Sequence, residues 1–134
     1  MYETLLFLHV LTAAALFATT VMYSAYVLGA PVEQRSLAVA KVLWAFGGIG
    51  TLVFGIALAI DVDGYEIWDG WIILAIALWA LATECGRRAE VGVEAAATDS
   101  VAAVSVDSRV ALMHWARVAL VVALLVVMVW KPGA

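Results

Sequence analysis

The chain has 134 residues, is 66% hydrophobic and 13% charged, and has a net charge of −4 at pH 7. A soluble domain is charged at about a quarter of its positions, so this chain lacks the polar surface to cover a core in water and is too apolar to stay disordered. It has no basic stripe to suit nucleic acid, and its single cysteine, Cys85, excludes an internal disulfide and thiolate metal clusters.

Four apolar segments, at about 2–28, 37–60, 67–83 and 110–130, are long enough to cross about 30 Å of hydrocarbon at 1.5 Å per residue. The predicted fold is all-α: a four-transmembrane-helix bundle forming one integral-membrane domain over 1–134. The first segment lacks a basic lead-in and carries Glu3, so it is expected to be retained rather than cleaved as a signal peptide. Within it His9, Thr12, Leu16, Thr20 and Tyr23 form a semi-polar strip that should face the bundle, where hydrogen-bond partners are found. Ala14, Ala18 and Ala25 are expected to pack against a neighbouring helix. Pro31 suits the loop that follows.

The second segment carries Gly47, Thr51, Gly55 and Ala59 at four-residue intervals. Such a stripe of small residues lets helix backbones approach in lipid, within the bundle or in a dimer face or ligand groove. The turn after it, with Asp61, Asp63 and Glu66, is acidic but lacks the length and spacing of a calcium loop. The third segment is the shortest. Beyond it, Glu84 to Ser108 reads equally as a helical extension and as a flexible loop, with Glu90 and Glu94 one turn apart.

The fourth segment places His114 and Arg117 three residues apart, on one face. If hydrocarbon begins near residue 108, Arg117 lies about 14 Å deep and needs an anionic or carbonyl partner. Glu84 is the expected partner; the alternative is a counter-charge for an anionic ligand such as a haem propionate, a quinone or a lipid phosphate. Arg35, Lys41, Arg87, Arg88 and Arg109 flank loops one and three, whereas Lys131 alone flanks the other side. The positive-inside rule then predicts both termini outside and loops one and three in the cytoplasm.

His9, His114, Arg117 and Glu84 form the candidate cofactor or intramembrane polar site. Imidazole is a proper axial ligand for haem, but the two histidines differ in expected depth by roughly 10 Å, which suits one axial histidine better than two. No metal cluster, Ser-His-Asp set, phosphate loop, HExxH or CxxCH motif is present, so no catalytic residue is assigned.

The stretch Leu6-Phe7-Leu8-His9-Val10-Leu11-Thr12-Ala13-Ala14 resembles the first helix of a family of small bacterial four-helix membrane proteins. It also looks like that of the copper-resistance D family and of membrane haem-dependent protoporphyrinogen oxidases. The second helix is similar too, with Lys41, Gly47, Gly48, Gly50 and Gly55 in a long apolar run. The oxidase likeness implies b-type haem and redox chemistry at His9; the copper likeness implies metal transport. The third helix carries no lysine, where the oxidase pattern has one.

The function expected from the sequence is that of a small accessory or structural membrane subunit, not an enzyme, in contact with lipids and working in a homo-oligomer or larger complex. The alternatives are a redox protein holding b-type haem or quinone, and a small oligomeric transporter.

Overall fold

A computed structural model describes residues 1–99 and 106–132. These form four helices: α1 (Tyr2–Val27), α2 (Gln34–Asp61), α3 (Gly70–Asp99) and α4 (Ser108–Trp130). All four are long and apolar enough to cross a membrane, and the chain is a multi-pass integral membrane protein.

The bounds of α1, α2 and α4 lie close to those expected; α3 differs. It starts at Gly70 and runs on for 30 residues to Asp99, so most of the stretch expected to be either helix or loop is helix. Residues 84–99 are rich in alanine and glutamate, which favour a helix, and Glu84 takes Arg87 and Arg88 at i+3 and i+4. The helix is about 45 Å long, well beyond the hydrocarbon thickness. The rest of that connection, 100–105, lies outside the described residues.

The inward faces follow alternating steps of three and four residues. On α1 they are Thr12, Leu16, Thr19, Tyr23 and Tyr26; on α3, Ala82, Gly86, Ala89 and Val93. On α4 the same steps give His114, Arg117, Val121 and Leu124. This period belongs to left-handed antiparallel bundles, with two polar side chains in seam positions of α4 that would ordinarily be apolar. The semi-polar strip of α1 therefore does face the bundle. Ala14, Ala18 and Ala25 do not: they are exposed on the opposite face, a correction to their expected packing role. The hydroxyls of Thr12, Thr19 and Thr20 return to carbonyls of their own helix, which lets these buried threonines pack without outside partners.

The bundle consists of two hairpins. α1 packs chiefly on α2 and α3 on α4, and the hairpins meet mainly where α1 lies against α4 and α3. The α1–α2 contact is close because Gly47 has no side chain: a Cβ there would lie 2.5 Å from the Leu16 nitrogen. Gly50 faces the Thr12 side chain in the same way, and Gly55 faces the His9 ring. Gly29, at φ +97°, turns the chain out of α1 while the Ala30 N–H donates back to the Ala25 carbonyl at 2.9 Å. At the end that carries the start of α1 and the end of α4, the hairpins part and leave a cavity of about 710 Å³. At the other end they are closed by polar side chains.

Candidate functional site

The polar residues singled out in the sequence fall into two sites at opposite ends of the bundle. His9 belongs to the open end. His114 and Arg117 belong to the closed end. Ser24, which contacts His114 at 2.8 Å, lies 15 residues beyond His9 on α1, a separation of about 22 Å along the helix. The two imidazoles therefore cannot ligate one iron, and their separation is larger than the depth difference expected from the sequence.

At the open end, α1 presents His9 to α2. Its Nδ1–H donates to the Thr51 carbonyl at 3.0 Å, since a carbonyl can only accept. In the neutral ring that bond fixes the tautomer and leaves the Nε2 lone pair free, the arrangement in which imidazole serves as a ligand or proton acceptor. Thr51, Gly55 and Ala59 of the small-residue stripe line the cavity alongside His9. Trp71 and Thr51 also line it, and the Trp71 Nε1–H and Thr51 hydroxyl are buried without a protein partner. At the rim, Lys131 donates to the Tyr65 hydroxyl at 2.8 Å and lies 4.6 Å from the Tyr65 ring centroid. The cavity thus has mostly apolar walls, one imidazole and a cation at its mouth, with two unengaged donors buried in the wall behind it. Its size falls within the range of sites that enclose small organic ligands.

At the closed end, α4 sends Arg117 across the bundle. The side chain is fully buried. Its guanidinium lies 4.1 Å from the Trp44 ring centroid on α2 and 5.2 Å from that of Tyr23 on α1. Nη1 donates to Glu90 Oε1 on α3 at 3.5 Å. Arg117 therefore touches all three other helices. The sequence reading paired it with Glu84, and this is corrected: Glu84 is taken by Arg87 and Arg88 on the surface of its own helix, at 2.9 and 2.7 Å. Glu90, a turn and a half further along α3, faces inward instead. Gly86 makes room for the crossing, since a Cβ there would lie 3.1 Å from Arg117 Cδ and 3.2 Å from Trp44 Cζ2. Gly86 and Trp44 were not recognised as site residues from the sequence, where Gly86 fell beyond the third segment in a stretch read equally as helix and as loop.

The guanidinium lies level with Glu90 on α3 and Tyr23 on α1.

His114 is fully buried beside this group. The single proton of Ser24 goes to the Thr20 carbonyl at 2.9 Å, so the Ser24 oxygen accepts from His114 Nε2–H. His114 is thereby held in the opposite tautomer to His9, with Nδ1 as the lone-pair nitrogen. Lys41 and Glu94, 2.6 Å apart, add a second tie between α2 and α3 nearer the surface.

Among the described residues no three His, Cys, Asp or Glu side chains gather as a metal site. No family model matches the chain, and neither a curated protein nor a solved structure matches it.

Proposed function

We propose that the protein is a membrane-embedded binding protein for a lipophilic ring compound of the b-type haem or quinone class, held in the cavity between the hairpins. One observation carries this reading: His9 lines an apolar cavity of about 710 Å³ with Nδ1 already engaged and Nε2 free. For haem, His9 would hold the iron and Lys131 would supply the cation for its carboxylates. Arg117, which the sequence suggested for that charge, is at the other end of the bundle. A bound haem would supply one-electron chemistry, and the residues of this chain would hold and orient it and keep water away. For a quinone, His9 Nε2 would accept from the reduced form, and the Thr51 hydroxyl, buried in the wall without a partner, would reach a ring oxygen by turning about its own side-chain bond.

The test uses the intact protein in detergent, purified from cells supplied with haem precursor. Haem is indicated by a b-type reduced-minus-oxidised spectrum that His9→Ala removes. Quinone is indicated when a short-chain quinone saturably quenches tryptophan fluorescence and Thr51→Val weakens the titration. If neither probe binds, the ligand-binding reading fails. The accessory-subunit reading, with its oligomer or larger complex, then becomes the better one.

A further inference from the structure

The closed end holds four buried side-chain atoms with no partner in the protein: Arg117 Nε and Nη2, the Tyr23 hydroxyl and His114 Nδ1. Their side chains are neighbours. Arg117 lies over the Tyr23 ring, His114 is on the same face of α4 one turn away, and Ser24, next to Tyr23, holds the other nitrogen of His114. Buried polar groups are almost always satisfied, so a cluster of this kind points to a bound species.

The donor and acceptor inventory says which. Arg117 supplies N–H donors and Tyr23 an O–H donor, while His114 Nδ1 in its neutral tautomer can only accept. An anion would satisfy the donors but not the imidazole. The arginine charge is moreover already opposed by Glu90 at 3.5 Å, with Glu94 one turn beyond. A metal cation would have to sit against the guanidinium. Water both accepts and donates, carries no charge and fits a polar site with two to four partners. We propose that this cluster is an internal hydration site, in which water bound by Arg117, Tyr23 and His114 completes the solvation of the buried guanidinium. The Glu90 side chain, 13% exposed, is where the site meets the aqueous phase at the basic end. This site is separate from the ligand cavity and does not depend on that reading.

Two measurements on the full chain in lipid nanodiscs test the proposal. The first is Tyr23→Phe, which keeps the ring under Arg117 and removes the hydroxyl. If the hydroxyl binds water, its loss lowers the melting temperature by a few degrees; if it is bare, its loss leaves the melting temperature unchanged or raises it. The second is X-ray hydroxyl-radical footprinting, in which radicals formed from bound water oxidise the side chains beside it. Tyr23 and His114 should be oxidised despite full burial, at rates well above that of Leu16, itself 5% exposed, after correction for intrinsic reactivity. Both outcomes are required. An unchanged or raised melting temperature overturns the proposal, and so does protection of Tyr23 and His114 to the level of Leu16.

Discussion

Arg117 is tolerated inside the bundle by its flat guanidinium, which stacks between Trp44 and Tyr23 and still reaches a carboxylate at its edge. A lysine would offer a point charge to the same surroundings and lose the stacking. Removing one member of a buried pair is costly because it leaves the other charge uncompensated, whereas removing both can be nearly neutral. Glu90→Gln should therefore destabilise the protein by about 3 kcal/mol, and the double variant Glu90→Gln with Arg117→Met should recover most of that loss. Reversible unfolding in mixed micelles measures both, and additive losses would show that Glu90 and Arg117 do not act as a pair. The sequence made the need for a partner legible, because an arginine nine residues into an apolar helix requires one. It did not make Glu90 legible as that partner. The apolar run of the third segment fades near Thr83, so Glu84 looked like the last residue within reach. The i+3 and i+4 arginines that occupy Glu84 were equally visible in the sequence, and they are what leaves Arg117 to Glu90.

On α2 the small-residue stripe was legible but its direction was not. Steps of four residues gain about 40° each on a helix of 3.6 residues per turn, so Gly47 and Ala59 face directions about 120° apart. Gly47 meets the backbone of α1, while Ala59 joins the cluster of Trp71, Ala75 and Leu124 from the other hairpin. The stripe is thus one close contact that turns into a cavity wall. Adjacent glycines on this helix have opposite requirements. A Cβ at Gly47 would press on Leu16, whereas one at Gly48 would meet nothing within 4 Å. Gly47→Ala should cost about 1–3 kcal/mol by forcing the helices apart. Gly48→Ala should be neutral, or stabilise by about 0.5–1 kcal/mol through helix propensity. Thermal unfolding of the two variants in one detergent compares them directly; equal losses would show that α1 and α2 are not in close contact at this level.

The whole molecule ties two hairpins by polar contacts at one end and lets them diverge around a cavity at the other, where Ala59 still packs on Trp71, Ala75 and Leu124. Most polar ties across the joint belong to the closed half: Arg117 to Tyr23 and Trp44, His114 to Ser24, and Lys41 to Glu94; at mid-height, on the cavity wall, Trp79 Nε1–H donates to the Gly48 carbonyl at 3.0 Å. At the open end Lys131 engages Tyr65 and Trp71, both on its own side of the turn between α2 and α3. In lipid no hydrophobic force drives helices together, so packing and these polar ties must hold the halves. Co-expressing residues 1–63 with 64–134 separates the hairpins at that turn without breaking a helix. The two fragments should co-purify as an equimolar pair. Arg117→Ala should abolish the pairing, because it removes contacts to both helices of the first hairpin at once, whereas Lys131→Ala should leave the pairing intact. Equal pairing in the two variants would show that the closed end does not hold the hairpins together, and would leave the packing of α1 against α3 and α4 as the joint.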